Sequence, residues 1–460
     1  MTIQITPVER EAALHAGHEA PYRTFIAASL ALGIGGGFLL ALLLPLAAAL
    51  EWDWGTRWQA LAQVHGQLQL LGFAGLFVMG MSLRLMPRFS GRMFPLPRLV
   101  PSLVPLIAGS LILRALAQPA SDGLVRDVAL LVSALLLVAG ALAYAAIVCG
   151  TLVHRDSKAE ATGYFFVLGS LAYVCGAAIN LWQVIDMTRD GLTFAPLGRQ
   201  PALVFAQQFG FIMLISGGVV TRAVPTLTGR PRPDLGGRIT ACVLAAGVSI
   251  LVAARLYGFE KNITPASVRW EDAGLILMAC GWLSVVWLSG ALRPSANRVA
   301  AASQVQFQLV RSALGWLAFS GLLTLWYASR AFLDAAALDV YELDAVRHAL
   351  TVGVMTMLII GMAMLIVPEF AGRRLQHPNE GWIAVAILVA LNASAMLRVW
   401  PALEGIGWIA STRWWPMAAA GGLAEGAVVV FALMFAQSYI EQRQPRWASP
   451  DMLKRRGSRS

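Results

Sequence analysis

Charge is what this chain has least of. Of its 460 residues only 13% are Asp, Glu, Lys or Arg, whereas 58% are hydrophobic. Mean hydropathy is +0.66. A soluble domain of this length would need far more polar surface, so soluble enzymes and soluble binding modules are excluded. Cysteine and histidine are scarce as well, at four and six residues. Cys149, Cys175, Cys242 and Cys280 lie in apolar stretches without paired spacing. That pattern excludes a Cys-x-x-Cys or covalent haem motif, and the four are expected to be core thiols without disulfides. The first 22 residues are polar and carry Glu9, Glu11 and Glu19. They lack the basic start, short apolar core and small-residue cleavage site of a signal peptide, so the first apolar run is expected to act as its own insertion signal.

Long apolar runs are present throughout. Twelve occur, at roughly 25–50, 61–86, 99–118, 127–153, 162–185, 202–225, 238–257, 271–292, 309–333, 345–367, 381–400 and 416–440. Each is long enough to cross a bilayer as a helix, so the expected fold is an all-α, polytopic membrane protein with the lipid bilayer as its first partner. The net charge of +10 comes from basic residues in alternate loops. Arg88, Arg92 and Arg98 follow the second run; Arg222, Arg230, Arg232 and Arg238 surround the end of the sixth; Arg373 and Arg374 follow the tenth. Asp334, Asp339, Glu342 and Asp344 lie in the loops of the opposite face. The positive-inside rule then places both termini in the cytoplasm. The charge is a topology signal, and no nucleic acid is needed to explain it.

One pattern organises the runs. Gly-x6-Pro-x3-Gly-Arg reads GMSLRLMPRFSGR from Gly80, GVVTRAVPTLTGR from Gly218 and GMAMLIVPEFAGR from Gly361, at intervals of 138 and 143 residues. On the order of 0.01 copies arise by chance at this composition, so the chain is an internal repeat. Three repeats of four helices are expected, at about 1–156, 157–300 and 301–440, followed by a basic tail over 441–460. The motif ends helices 2, 6 and 10. Its first Gly would admit a neighbouring helix, its Pro would mark the last turn, and its Arg would mark the membrane surface. This is an architectural role and not a catalytic one.

The histidines break the threefold pattern. His15 and His18 belong to the polar N-terminal segment, and His154 and His377 stand beside Arg155 and Arg374 in loops. His65 and His348 lie in apolar helices, where an imidazole is costly unless it is bonded or ligates something. They precede Pro87 and Pro368 by 22 and 20 residues. That places them at nearly one depth, roughly 30 to 33 Å from the motif at 1.5 Å per residue. Two imidazoles at matched depth on neighbouring helices suit bis-axial ligation of a haem iron. The residues alone also allow two histidines that each bond a carbonyl or hydroxyl of a nearby helix. Arg114, Arg255 and Arg398 stand near the ends of the third helices, 27, 30 and 30 residues after the motif Pro. They suit snorkelling to headgroups or neutralising buried anions such as haem propionates, with Arg398 and Arg114 first and Arg347 and Arg413 as alternatives. Glu425 inside helix 12 is a candidate proton relay or Arg partner. Trp52, Trp54, Trp58, Trp400, Trp408, Trp414 and Trp415 form an interfacial belt.

The segment HGQLQLLGFAGLFVMGMSLRLMPRFSGRMFPLPRL from His65 resembles helix 2 of haem–copper oxidase and nitric oxide reductase large subunits. HALTVGVMTMLIIGMAMLIVPEFAGR from His348 is similar to helix 10 of the same family. The resemblance implies a subunit-I-like fold of twelve helices in three arcs, with one low-spin haem b held by His65 and His348. The second haem-binding His of that family is replaced by Val346, Gln207 and Gln208 occupy helix 6, and helix 7 has no His. A binuclear oxygen- or NO-reducing centre is therefore not expected. HALTVG, and His65 with Gly72-Phe73, resemble the NnrS family of nitric-oxide-response membrane haem–copper proteins. NnrS proteins carry a His and a Glu where this chain has Gln67 and Leu68, and a further His near Glu369-Phe370, so the usual copper ligands are replaced. The implied setting is a bacterial inner membrane, with an electron-transfer partner and a role in nitric oxide or denitrification stress. Two other classes fit part of the pattern: a haem-free secondary transporter, and a degenerate oxidase or NO reductase subunit.

Overall fold

The computed structural model describes residues 21–153, 160–261, 265–293, 304–335, 338–370, 380–403 and 413–443. His15, His18, His154, His377, Trp408, the last Gly-Arg of the third motif copy and the tail beyond residue 443 lie outside the described residues. Among the described residues there is no strand. Twelve helices are long and apolar enough to cross a membrane: α1 Tyr22–Ala49, α2 Arg57–Ser90, α3 Pro97–Ala117, α4 Leu124–Leu152, α5 Glu160–Arg189, α6 Gln200–Thr228, α7 Asp234–Gly258, α8 Ser267–Ser289, α9 Gln304–Asp334, α10 Val340–Val367, α11 Gly381–Val399 and α12 Trp414–Gln437. The chain is a polytopic all-α membrane protein.

The start of α10 corrects the sequence reading of that loop. The Asp339 carboxylate accepts from Tyr341 N at 2.7 Å, and Glu342 reaches back to Asp339 N at 2.9 Å, a capping box that begins the helix. Glu342 and Asp344, expected in the loop, are therefore helical. Polar residues suited to the first turn look like loop residues when only hydropathy is read.

The helices form a closed ring around three inner members. Contacts run α1 to α3, α4, α5, α7, α8, α9, α11 and α12, and α12 packs back on α1. Inside stand α2, α6 and α10, the helices that carry the motif. The most apolar window of α2 is wholly buried, and those of α6 and α10 are 89% and 83% buried, against half or less elsewhere. Inner helices can therefore be apolar all round, while ring helices divide their surface between protein and lipid. That division corrects the expectation for the thiols: Cys175, Cys242 and Cys280 are exposed and Cys149 is half-buried. In a bilayer an outward apolar thiol costs no more than an inward one.

The motif glycines set how close the inner helices come. A methyl group on Gly80 would lie 2.5 Å from Phe25 Cβ of α1. The same group on Gly218 would lie 2.8 Å from Phe165 Cβ of α5, and on Gly361 2.9 Å from Leu309 Cβ of α9. Each inner helix thus leans on the helix before it through one missing side chain. Gly91 and Gly229, the second motif glycines, cap their helices at φ 69° and 70°. Gly91 N donates to Pro87 O at 2.9 Å, and Arg230 N donates to Pro225 O at 2.8 Å. A side chain at these left-handed positions would strain the turn.

The inner helices are not uniformly α-helical. Each contains a π-helical stretch, Leu68–Gly75 in α2, Phe205–Ile212 in α6 and Ala349–Thr356 in α10. They begin 19, 20 and 19 residues before the motif Pro, at one level of the bundle. Such wide turns re-aim the side chains that precede them and concentrate at functional sites. His65 lies three residues before the first, and His348 immediately precedes the third.

Gly80→Val and Gly218→Val should each lower stability by about 1–3 kcal/mol through overpacking. Gly109→Ala, which meets nothing within 4 Å, should be nearly neutral. Thermal unfolding of the detergent-solubilised protein checks this, and equal losses in all three variants would contradict it.

Candidate cofactor site

The site begins with glycines on α1. Gly33, Gly36 and Gly37 lie in a π-helical stretch, Gly33–Phe38. Added methyl groups there would come within 2.9 Å of Phe73, 2.3 Å of Leu68 and 2.8 Å of Gln69, all on the wide turn of α2. The absence of side chains lets the two backbones meet, and Gly37 O comes to lie 2.8 Å from His65 Nδ1. On α10 the His348 Nδ1 lies 2.9 Å from Asp344 O, one turn earlier, and 3.1 Å from Asp344 Oδ1.

Both histidines are therefore held the same way. Nδ1–H donates to a backbone carbonyl, which fixes the tautomer and leaves the Nε2 lone pair available. No hydrogen bond engages either Nε2 among the described residues. The two side chains are partly accessible, His348 at 18%, although Val64, Gln67 and Ala349 beside them are buried. Each imidazole keeps some accessible surface beside neighbours that are packed. His65 lies within electrostatic reach of His348, Arg398 and Arg347, and the wide turns of α2 and α10 touch. The structure thus brings His65, His348, Arg347 and Arg398 together.

Asp344 ties this group. Its carboxylate accepts from Arg398 Nη1 at 2.8 Å and Nη2 at 3.3 Å while facing His348. A carboxylate on Nδ1 makes the imidazole a stronger donor through its other nitrogen. The Arg347 side chain has no hydrogen-bond or ion-pair partner among the described residues and is partly accessible. Its carbonyl accepts from Gln208 Nε2 of α6 at 2.9 Å, and the same amide donates to Thr351 Oγ1 at 2.9 Å. Gln67 of α2 donates to Gln207 Oε1 of α6 at 3.1 Å. Glutamines therefore join the three inner helices where their wide turns meet. Arg413 donates to Tyr341 Oη at 2.5 Å and covers the Trp414 ring. Trp58 and Trp414 meet edge to face at the same end of the bundle.

Two other candidates stand elsewhere. Arg114 joins Gln118, and Gln118 joins Gln63 of α2. Gln63 is two residues from His65, about 200° around the helix, so Arg114 serves the opposite side of α2. Glu425 lies half-buried in α12, and its buried Oε2 has no hydrogen-bond partner among the described residues. Sequence reading missed Asp344 and Gly37. The four-residue spacing of Asp344 and His348 was a usable signal for the first, because such pairs meet on a helix. Nothing local marks Gly37 as a partner of His65.

No protein-family model and no curated protein matches this chain.

Removing one partner of the Asp344–Arg398 pair should cost more than its share of removing both. A double-mutant cycle with Asp344→Asn and Arg398→Gln, read by thermal unfolding, is expected to give a coupling of about 0.5–3 kcal/mol. Additive losses would show that the two side chains do not interact.

Proposed function

We propose that this chain is an integral membrane b-type haem protein in which Nε2 of His65 and Nε2 of His348 are the two axial ligands. The observation that carries the reading is the shared tethering of the imidazoles. Each Nδ1 is engaged by a carbonyl, no hydrogen bond reaches either Nε2 among the described residues, and each ring keeps accessible surface where α2 and α10 meet. Simple burial of two histidines would also engage or enclose their second nitrogens. Arg347, Arg398 and Arg413 suit the propionates, with Arg347 in no side-chain hydrogen bond or ion pair among the described residues, and Arg398 and Arg413 held by Asp344 and Tyr341. Arg114, on the other side of α2, has no part in this reading. Bound between two imidazoles, the haem supplies one-electron chemistry in a closed coordination sphere.

The resemblance of the His65 and His348 segments to NnrS and to the oxidase large subunits points the same way. It supports a role in nitric oxide or denitrification stress, in a bacterial inner membrane with both termini cytoplasmic, alongside an electron-transfer partner. Copper has no place in the reading, since Gln67, at one of the usual ligand positions, is engaged by Gln207. Asp344 and Gly37 are positioning residues: they orient the imidazoles without touching the cofactor.

Optical spectra of the purified protein from haem-replete cells test this. The expectation is sharp reduced-minus-oxidised bands of a low-spin b haem, lost in His65→Ala and in His348→Ala. A folded wild-type protein without haem, or bands that survive both substitutions, would overturn the reading.

A further inference from the structure

Arg114, Arg255 and Arg398 stand at corresponding places, each on the helix after a motif-bearing one. Arg255 pairs with Glu271 of α8, and Arg398 pairs with Asp344 of α10. Arg114 has no carboxylate partner among the described residues. Its Nε donates to Gln118 Oε1 at 2.8 Å, and its Nη1 donates to Asn180 Oδ1 of α5. Both partners are neutral amides. Arg114 is only 2% exposed, and its Nη2 is buried with no acceptor among the described residues.

A guanidinium cannot escape this cost by losing its proton at neutral pH. An uncompensated cation inside a membrane bundle is among the most expensive groups a protein carries. A second observation falls at the same place. Gln183 lies three residues beyond Asn180, on the same side of α5. It is fully buried, and neither its amide nitrogen nor its amide oxygen has a hydrogen-bond partner among the described residues. Arg114 of α3 and Gln183 of α5, each with an N–H that has no acceptor among the described residues, thus flank the Arg114–Asn180 bond beside a buried apolar cluster that includes Ala117 and Val184.

The groups beside Arg114 are tied together by further hydrogen bonds. Gln118 Nε2 donates to Gln63 Oε1 at 2.8 Å. Gln63 clamps the segment after α5 through Ala195, with Nε2 donating to its carbonyl at 2.9 Å and Oε1 accepting from its N–H at 2.8 Å. One chain of hydrogen bonds therefore runs from Ala195 through Gln63, Gln118 and Arg114 to Asn180.

We propose that a site between α3 and α5, at the Arg114–Asn180 bond, binds one small monovalent anion of chloride size, held by Arg114 Nη2 and the Gln183 amide N–H. The anion does for Arg114 what Glu271 and Asp344 do for its two counterparts. This site is separate from the histidine pair, and it stands whether or not a haem binds there.

The test is thermal unfolding of the full-length protein in detergent, with chloride exchanged for gluconate at constant ionic strength. Gluconate is a much larger anion than chloride and serves as the control. The wild-type midpoint should rise by a few degrees with chloride and then saturate, because a ligand bound only to the native state stabilises it by mass action. Arg114→Gln should abolish the response. Asn180→Asp, which supplies an internal carboxylate, should keep the midpoint in gluconate at or above that of the wild type and should also abolish the response. The second variant decides the matter if the first does not fold. A wild-type midpoint indifferent to chloride would overturn the proposal, and so would Asn180→Asp keeping the full wild-type response.

Discussion

The bundle depends on a contact made three times: a glycine of an inner helix against the β-carbon of the helix before it. Gly80 meets Phe25, Gly218 meets Phe165 and Gly361 meets Leu309, each where a methyl group would clash. In lipid there is little hydrophobic gain from pairing apolar helices, so close fit and interhelical hydrogen bonds decide which helices meet. These contacts hold α2, α6 and α10 at the centre, and the other helices close around them. Everything placed on the inner helices, including both membrane histidines, inherits its position from that fit.

A centre made only of leucine and phenylalanine would be inert. This one carries wide turns at a common level in all three inner helices, and the polar groups gather around them. Gln67 with Gln207, and Gln208 with Thr351, join the helices where a buried amide without a partner would be costly. The Gly37 carbonyl and Asp344 take the inner nitrogens of His65 and His348. The repeated scaffold supplies three equivalent places, and two of them are furnished with imidazoles. The middle one, on α6, holds glutamines instead.

Much of this architecture is legible in the sequence, for a clear reason. Span length and the Gly-Pro-Gly-Arg pattern are set by bilayer thickness and backbone sterics, which are local constraints. Twelve helices, the close helix contacts of Gly80, Gly218 and Gly361, and the membrane position of His65 and His348 follow from them, whereas the central place of α2, α6 and α10 does not. What stays hidden depends on partners far apart in the chain. Arg398 and Arg114 look alike in sequence, yet one faces Asp344 and the other faces Asn180, 66 residues away. Asp344 reads as a loop acid because a capping box that starts a helix early has the composition of a loop. The wide turns cannot be told from ordinary α-helix by hydropathy, and the outward cysteines show that apolar residues in a bilayer do not reveal which way they face.

The central claim is that the two imidazoles share one iron. Electron paramagnetic resonance of the oxidised full-length protein, purified from haem-replete cells, addresses it most directly. The account predicts a rhombic low-spin ferric signal of two neutral imidazole ligands, converted to a high-spin signal when His65 or His348 is replaced by alanine. A high-spin signal in the wild type, or no haem iron in the folded protein, would contradict it.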